Sequence, residues 1–308
     1  MRVIITGGTG QIGRDLAASL AADGHEVIVL TRSPESATGL AAGVRPVGWD
    51  ARTAEGWGHL ADRAGAIVNL AGANLAGEGF FPSRWTEARK QIIRDSRVNA
   101  GKAVVEAVLQ AEARPRVVIQ ASGVGYYGAR KDYPVTVDSP PGDDFTARLA
   151  ADDWEPSTAP VEEMGVRRVI IRSGAVLNAR EGALLRMLLP FRLFVGGPMG
   201  SGKQWFSWIH QQDEVRAIRF LIEQEEARGP YNLTAPQPVS NKEFARALGR
   251  ALRRPSWFPL PAFALRLAFG EVSDVLLKGQ AATPDRLQAL GFEFKYPDVD
   301  SALRDLVG

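Results

Sequence analysis

The first thirteen residues, MRVIITGGTGQIG, limit the possible folds of this chain more than any other stretch. An apolar, β-branched run leads directly into Gly7, Gly10 and Gly13, and helix-forming sequence follows. The first glycine allows a tight turn, the second lets backbone approach a phosphate, and the third lets the helix pack on the strand. The helix start then offers unpaired N–H groups to an anion. The stretch therefore predicts a strand, a phosphate-binding turn and a helix.

Short β-branched runs continue to alternate with helix-period segments, the longest of which covers residues 86–113. This alternation predicts a parallel, doubly wound sheet with helices on both faces, an α/β fold of the Rossmann type. The predicted strands cover residues 3–6, 27–31, 44–49, 66–70, 117–121 and 169–173. Together with the phosphate-binding turn, the pattern indicates a dinucleotide as ligand.

The end of the second predicted strand bears on which dinucleotide binds. Enzymes that use NAD usually place an acidic residue there, which accepts a hydrogen bond from the ribose 2′-hydroxyl. Here the strand ends in Thr31-Arg32-Ser33. Arg32 cannot accept that bond, but its guanidinium can pair with a 2′-phosphate or lie on adenine. Arg32 therefore predicts NADP(H) as the cofactor.

Further cofactor contacts are predicted at the ends of the third and fourth strands. Asp50 follows the third strand and either accepts from the adenine amino group or is a solvated loop aspartate. The fourth strand ends in VNLAG, whose small residues allow backbone to run along the ribose and nicotinamide, although a plain tight turn would use the same residues. The full predicted cofactor-binding set is Gly7, Thr9, Gly10, Gln11, Ile12, Gly13, Arg32, Asp50, Leu70, Ala71 and Gly72.

Composition and spacing exclude several classes of protein and site. The 308 residues contain no cysteine, which excludes disulfides and thiolate metal sites, and no His/Asp/Glu cluster predicts a metal. A net charge of +2 with interspersed charges predicts no nucleic-acid partner. No apolar run approaches the ~20 residues of a membrane helix, and the opening strand leaves no room for a signal peptide. We therefore expect no membrane partner and a cytoplasmic location.

Residues 197–204 are similar to a P-loop, but Gln204 occupies the position where that loop needs Ser or Thr.

The stretch SGVGYYGARKDYP contains Tyr127-x-x-x-Lys131 downstream of Ser122. These residue types transfer protons in enzymes that move hydride to or from an alcohol. Tyrosine and lysine must share a helix face for the lysine charge to lower the phenol pKa. Gly128 and Pro134 oppose a helix here, so the spacing is interpreted as coincidence.

The next helical segment covers residues 143–157 and contains neither tyrosine nor lysine, and neither residue occurs from Pro134 to Gly202. Pro156 is expected to shorten this helix. The standard proton-transfer pair is therefore predicted to be absent, which leaves open how the chain would move a proton.

Longer stretches resemble the epimerase-like branch of the atypical extended short-chain dehydrogenase/reductases. The resemblance covers nearly the whole chain and is most specific in residues 196–213 and in the C-terminal segment. It rests on ITGGTGQIG, VNLAG, RWTEARKQIIRDSR, ASGVGYYG, DDWE, IRSGAVL, GGPMGSGKQWFSWIHQQDEVRAI, GPYNLTAPQPVSNKEFARALGRALRRP and GFEFKYPDV. It implies an extended Rossmann-type domain that binds NADP(H), a small C-terminal domain, and no settled substrate.

The resemblance also implies where a substrate would meet the cofactor. It places Ser122 beside the nicotinamide, with Tyr126 and Tyr127 in the same loop, where either could donate to a substrate carbonyl. It places Lys203 and Gln204 in the loop that faces substrate, and Lys203 either meets a substrate phosphate or is simply solvated.

A glycine-rich segment before the long helix, NLAGANLAGEGFFPSRW, is a candidate lid. Arg84 would then meet a substrate anion. The alternative is a loop that its aromatic residues, Phe80, Phe81 and Trp85, simply anchor.

Residues 1–235 are predicted to form the NADP(H)-binding domain, with substrate-facing loops from 174–215, and residues 236–308 a small, mostly helical C-terminal domain. The predicted function is that of an NADPH-binding, short-chain dehydrogenase-like protein. It would act on a small molecule as a nucleotide-sugar epimerase, or as an oxidoreductase at an alcohol or carbonyl carbon. A non-catalytic NADPH-binding regulatory or partner-binding protein, related to cell division, is the alternative, because the proton-transfer pair is missing.

Overall fold

A seven-stranded parallel sheet forms the centre of the computed structural model, which describes residues 1–77, 79, 81–131 and 134–308. The strands are β1 (Arg2–Thr6), β2 (Glu26–Thr31), β3 (Val44–Gly48), β4 (Ala66–Asn69), β5 (Val117–Gly123), β6 (Arg167–Ser173), β7 (Ala175–Leu177), β8 (Trp205–Phe206), β9 (Trp208–His210), β10 (Gly229–Leu233) and β11 (Val239–Ser240). The sheet has the order β10-β6-β5-β4-β1-β2-β3, with β11-β8 and β7-β9 as separate pairs. The strand order reverses direction between β1 and β4, where ligands of such folds bind.

All six predicted strands are confirmed, and so is the doubly wound α/β class. The seventh strand, β10, was not predicted because it begins with Gly229 and Pro230, which weaken a strand signal. Proline cannot donate to a ladder and is tolerated at a sheet edge. Since β10 is the edge strand beside β6, Pro230 costs the sheet little.

Helices cover both faces of the sheet. They are α1 (Gln11–Ala22), α2 (Glu87–Gln110), α3 (Phe145–Arg148), α4 (Pro160–Glu163), α5 (Gly182–Arg192), α6 (Gln211–Glu223), α7 (Asn241–Leu252), α8 (Ala262–Phe269), α9 (Asp274–Leu277), α10 (Asp285–Ala289) and α11 (Val299–Val307). The neighbours Ile4 and Ile5 on β1 point to opposite faces, Ile5 toward α1 and α6 and Ile4 toward α2. None of the helices in the described residues is long and apolar enough to cross a membrane.

The predicted C-terminal domain shares its core with the preceding loops. Phe244 of α7 and Leu303 of α11 pack with Leu188 of α5 and with Trp208. Leu287 of α10 returns to the main core beside the sheet. The predicted domain boundary at residue 235 lies just after β10, the last strand of the seven-stranded sheet. Apolar side chains from both sides of this boundary nevertheless pack in one core. Helix α11 was not predicted.

The helix predicted at residues 143–157 is irregular. Asp144 caps it by accepting a hydrogen bond from the N–H of Ala147 at 3.0 Å, and α3 follows. The helix then widens into a π-helix over residues 149–154 and tightens into a 3-10 turn over residues 155–158. Pro156 therefore changes the type of helix without ending the helical run, because its missing N–H is tolerated at the start of a new turn.

Candidate functional site

The glycine turn between β1 and α1 has the geometry that its sequence predicts. Gly7 adopts a left-handed φ of +65°, and a Cβ there would lie 2.8 Å from the backbone of Leu70. A Cβ on Gly13 would lie 2.6 Å from the carbonyl oxygen of Gly7. Both positions therefore require glycine, one for its conformation and its close neighbour, the other for close packing.

The start of α1 is an open anion site. Its N-cap residue is Gly10, so no side chain caps the first backbone N–H groups, those of Gln11, Ile12 and Gly13. A Cβ on Gly10 would meet only the carbonyl oxygen of Gly7, at 3.2 Å, and otherwise open space. Uncapped N–H groups and the helix dipole favour a phosphate here. The residues present thus fit the pyrophosphate of a dinucleotide.

Arg32 and Asp50 lie after β2 and β3, beside this turn, and differ in how they are engaged. Arg32 is exposed and makes no hydrogen bond or ion pair with any residue that the structure describes, so its guanidinium is available to a phosphate. Asp50 closes its own turn, accepting from the N–H groups of Arg52 at 2.7 Å and Thr53 at 2.8 Å. The adenine contact of Asp50 stays a prediction.

The ends of β1, β4 and β5 are joined by a buried polar ladder that was not predicted as such. Thr6 Oγ1 donates to Asn69 Oδ1 at 2.6 Å, and Asn69 Nδ2 donates to Gln120 Oε1 at 2.9 Å. The N–H of Ala71 donates to Thr6 Oγ1 at 3.2 Å, which fixes the backbone of the predicted Leu70-Ala71-Gly72 segment. The ladder holds this backbone against the glycine turn.

A buried ion pair lies behind the predicted catalytic residue Ser122. Ser122 Oγ donates to Glu155 Oε1 at 2.7 Å, and Arg172 donates to both carboxylate oxygens of Glu155, at 2.8 and 2.9 Å. All three residues are buried. Burial opposes the charge of Arg172, but the hydrogen bonds and negative charge of Glu155 outweigh it and raise the Arg172 pKa. Both carboxylate oxygens of Glu155 therefore accept hydrogen bonds from buried donors.

Two tyrosines flank the same arginine in different ways. Tyr127 is fully buried; its hydroxyl donates to Asn232 Oδ1 at 2.6 Å and accepts from Arg172 at 3.1 Å. Burial raises the pKa of Tyr127. The ring of Tyr126 lies 3.4 Å from the Arg172 guanidinium, and its hydroxyl makes no hydrogen bond with any described residue. Of the two, Tyr126 has the hydroxyl free for a ligand.

Tyr127 and Lys131 do not share a helix. Tyr127 lies in a 3-10 turn over residues 124–127, and Gly128 follows in the left-handed region with φ +62°. The spacing Tyr-x-x-x-Lys has no proton-transfer geometry here, because only residues on one helix face approach each other at that spacing.

Two of the predicted substrate residues, Arg84 and Gln204, donate hydrogen bonds to backbone carbonyls. Arg84 donates to the carbonyl oxygens of Leu267 and Ala268, the latter at 3.2 Å, and so caps the C-terminus of α8. Gln204 donates to the carbonyl oxygens of Met199 and Leu276, both at 3.0 Å. In this structure both side chains tie loops together, and their substrate contacts stay predictions.

Two predicted residues remain, Lys203 in the substrate-facing loop and Phe80 in the candidate lid. Lys203 is exposed, and its ammonium makes no hydrogen bond or ion pair with the described residues. Phe80, part of the predicted lid, lies outside the described residues. No three His, Asp or Glu side chains among the described residues are grouped so as to hold a metal ion.

Sequence reasoning missed Glu155, Arg172 and Asn232 as functional residues. The signals were present: Arg172 is a charge directly after the apolar run Val169-Ile170-Ile171, and Glu155 follows a tryptophan in the irregular helix. A buried arginine needs acceptors for its guanidinium, either a carboxylate or, as for Arg167 of the same strand, backbone carbonyl oxygens. That rule could have paired Arg172 with a carboxylate, although not with this one in particular.

A second buried acid, Glu214, lies in the first turn of α6 against the end of β6. Its Oε1 accepts from Ser173 Oγ at 2.6 Å, whereas its Oε2 makes no hydrogen bond with the described residues. Burial raises the pKa of Glu214 from 4.5 to about 8. Glu214 is therefore neutral in the folded protein at pH 7 and is ionised only after unfolding.

We expect Glu214 to make stability fall as pH rises. The pKa of Glu214 is higher in the folded state than in the unfolded state, so between about pH 4.5 and 8 only the folded state keeps the proton. The free energy of unfolding therefore falls as pH rises across this range. Between pH 6 and 8 the free energy of unfolding should drop by on the order of 2 kcal/mol in wild type and by much less in Glu214→Gln. Urea unfolding at both pH values measures this, with the exposed Glu163→Gln as control. Equal drops in wild type and Glu214→Gln would contradict the assignment.

Comparison with known proteins agrees with this geometry. The model of the NAD dependent epimerase/dehydratase family matches residues 3–234, and that of a domain of unknown function, DUF1731, matches residues 260–306. The chain belongs to the NAD dependent epimerase/dehydratase family. The resemblance inferred from the motifs is thereby confirmed.

Two curated members of the family cover the whole chain. Epimerase family protein YfhF of Bacillus subtilis is 37% identical over 307 residues, which are 100% of this chain and 98% of that protein. The chloroplastic SDR39U1 homologue of Arabidopsis thaliana is 40% identical over 309 residues, 100% of this chain and 87% of that protein. Both matches extend over the sheet domain and the C-terminal segment of this chain.

A solved structure of the family carries a ligand. Human epimerase family protein SDR39U1 (isoform 2), crystallised with NADPH, matches with a TM-score of 0.88 and 35% identity over 100% of this chain and 99% of that chain. The cofactor in that family member is the one that Arg32 predicts for this chain.

Proposed function

We propose that this family member binds NADPH, with the pyrophosphate at the start of α1 and the 2′-phosphate on Arg32. The main support for this proposal is the start of α1. Its N-cap residue is a glycine, so the first backbone N–H groups have no side-chain cap and face open space. Arg32 adds an unengaged cation after β2. The family description and the NADPH in the human relative support the same cofactor.

Arg32→Ala should remove most of the preference for NADPH over NADH. A charge-assisted contact to phosphate contributes about 1.5–3 kcal/mol, so the NADPH Kd should rise about 10- to 100-fold while the NADH Kd hardly changes. Fluorescence titration with each dinucleotide measures both constants. Arg63→Ala, an 84% exposed arginine before β4, is the matched control. An unchanged ratio of the two constants would remove Arg32 from the site.

We further propose that the chain uses NADPH in a hydride transfer at an alcohol or carbonyl carbon of a small molecule, with a nucleotide sugar as the predicted class. The cofactor, when bound, supplies the hydride. The chain must then supply the proton that turns a carbonyl oxygen into a hydroxyl. Tyr126 suits this role because its hydroxyl is unengaged: its O–H bond breaks, the proton passes to the substrate oxygen, and water reprotonates the phenolate.

The buried ion pair would position the reacting groups. The hydroxyl of Ser122 donates its hydrogen bond to Glu155. Ser122 can therefore accept a hydrogen bond from a ligand through its lone pairs, but it cannot donate one to the ligand. Arg172 lies against the ring of Tyr126 and holds the orientation of that ring through a cation–π contact. Glu155 and Arg172 are thus positioning residues, and Tyr126 is the proposed catalytic residue.

Tyr126→Phe should lower turnover about 100-fold without changing NADPH affinity, since general acid catalysis contributes about 10²–10⁴-fold. The assay follows NADPH oxidation with carbonyl compounds and nucleotide sugars that wild type converts. Tyr127→Phe is the companion variant; it removes a buried hydrogen bond and should act on stability more than on turnover. Full turnover by Tyr126→Phe would overturn the assignment.

A non-catalytic, NADPH-binding regulatory protein is the second candidate. The observation that favours it is that the hydroxyls of Ser122 and Tyr127 are both committed to buried partners. If this candidate holds, wild type binds NADPH but oxidises none with any carbonyl or nucleotide sugar. Ser122→Ala would then leave the cellular phenotype intact while a variant of the glycine turn abolishes it.

A further inference from the structure

Two segments of the chain carry basic residues and no acidic ones. Residues 182–212 contain three lysines and arginines, residues 244–270 contain five arginines, and neither contains an aspartate or glutamate. The whole chain has a net charge of only +2. The two segments meet at the C-terminal end of α5 and the region between α7 and α8, where Arg254 lies against Phe194 and Trp257 donates to Gly196.

An arginine-lined pocket of about 390 Å³ lies at the end of α7. We call it the arginine pocket; its lining residues are Arg246, Gly249, Arg250, Arg253, Arg254 and Ser256. Arg250 pairs with Asp300, whereas the guanidinium groups of Arg246 and Arg253 make no hydrogen bond or ion pair with any described residue. The shielded hydroxyl of Ser256 likewise has no partner within the described chain. Guanidinium groups and a hydroxyl converging on one pocket are the donor set that phosphate oxygens prefer.

Beside the pocket lies an exposed apolar ridge, formed by Phe194, Val195, Trp257 and Phe258. Each of these side chains is about half exposed or more, and Trp257 is 70% exposed. The ridge is not a loose loop: Trp257 Nε1 donates to the carbonyl oxygen of Phe194 at 2.9 Å, and the N–H groups of Trp257 and Phe258 both donate to Gly196 at 3.1 Å. Arg254 joins ridge and pocket, because its guanidinium lies 4.6 Å from the Phe194 ring centre.

We propose that the arginine pocket and the apolar ridge together dock this protein on the surface of an anionic phospholipid bilayer. The lipid phosphates would occupy the pocket, and the ridge would enter the headgroup region. Exposed apolar patches mark interaction sites, and tryptophan and phenylalanine flanked by arginine are typical of segments that lie in a bilayer interface. Such a surface presents anionic oxygens and apolar chains side by side, which matches a pocket and a ridge that share Arg254.

Charge complementarity favours lipid over a protein partner. A bilayer offers phosphate oxygens to the arginines and acyl chains to the ridge at every point of its surface, whereas a protein partner would need an acidic patch and an apolar patch in the matching arrangement. The sequence-based expectation of no membrane partner considered only spanning segments. A surface contact needs no such segment, and its strength comes from attraction between basic residues and anionic headgroups.

The proposed surface is separate from the cofactor site. Helix α5 begins at Gly182, where a Cβ would lie 2.6 Å from the side chain of Gln11 on the phosphate turn. It ends at Arg192, next to the ridge. Eleven residues at 1.5 Å each place the two sites about 16 Å apart. Variants of the ridge should therefore leave NADPH binding unchanged.

Sedimentation with vesicles tests the proposal. One set contains phosphatidylcholine with 30 mol% phosphatidylglycerol (about the anionic content of many membranes), and the other phosphatidylcholine alone. We expect wild type to bind the anionic vesicles at least tenfold more than the neutral ones at low salt. Arg253→Glu with Arg254→Glu should lose at least tenfold in binding, and so should Trp257→Ser with Phe258→Ser. Leu109→Ser, 62% exposed on α2, and Lys102→Glu on the same helix are controls expected to bind like wild type.

Several outcomes would overturn the proposal. These are no binding to either vesicle, equal binding to both, or binding that the arginine and ridge variants leave intact. Titration with soluble glycerophosphate separates a free phosphate compound from a lipid. Equal affinity for glycerophosphate and vesicles, unaffected by the ridge variants, would assign the pocket to a soluble anion. A dimer in solution that the ridge variants break, with no vesicle binding, would assign the ridge to a second copy of the chain.

Discussion

Gly10→Val should abolish NADPH binding and leave the fold intact. Gly10 has φ −80° and ψ 173°, an extended conformation that valine adopts freely. The added side chain would project into the open space above the start of α1, where the pyrophosphate is proposed to lie. Losing two charge-assisted hydrogen bonds costs about 3 kcal/mol or more, which raises the NADPH Kd at least ~100-fold.

The control for Gly10→Val is Ala22→Val, which adds similar bulk at the other end of α1, at an exposed position. Both variants should have thermal midpoints within a few degrees of wild type, because neither enters the packed core. Isothermal titration with NADPH measures binding. Near-normal NADPH affinity in folded Gly10→Val would show that the dinucleotide does not lie over this helix start.

Arg172→Met should destabilise the protein by about 3–5 kcal/mol, the range found when one partner of a buried ion pair is removed. Arg172 and Glu155 are 4% and 7% exposed, so the substitution leaves a buried carboxylate that retains only the Ser122 hydroxyl. It also removes a donor to Tyr127. Urea unfolding at pH 7 measures the loss.

Two further variants separate the charge effect from lost packing. Arg250→Met makes the same substitution in a solvent-exposed pair with Asp300 and should cost less than about 1 kcal/mol. Glu155→Gln combined with Arg172→Met removes both charges and should recover at least half of the loss, since no unpaired charge then remains buried. A double variant no more stable than Arg172→Met alone would mean that side-chain volume, not charge, explains the effect.

The sheet could be predicted because its signals are local. Four of the predicted strands, β1, β2, β4 and β5, are short apolar runs buried on both faces, and the turn from residue 7 to 13 is a contiguous motif. Strand β10 was not predicted, because Gly229 and Pro230 at its start are unfavourable for a strand and weaken the sequence signal. The irregular course of residues 149–158 also escaped, because the π-helical turn depends on packing against α2 and β5 and not on local propensity.

The buried network could not be predicted because strand register assembles it. Ser122 and Arg172 are 50 residues apart in sequence but are paired partners in the β5–β6 register. Glu155 reaches them from the irregular helix, and Asn232 from the edge strand β10. Arg84 illustrates the same limit. Its charge and loop setting suggested a substrate anion, whereas the structure places its guanidinium at the C-terminus of α8, a neighbour that no local pattern reveals.

The central claim is that this chain binds NADPH through the turn at Gly7–Gly13 and Arg32. Equilibrium titration of the unmodified protein with NADPH and with NADH, followed by nicotinamide fluorescence, tests it most directly. We expect the NADPH Kd to lie at least about tenfold below the NADH Kd, because one phosphate–guanidinium contact contributes at least ~1.4 kcal/mol. No binding of either dinucleotide, or NADH binding as tightly as NADPH, would contradict the account.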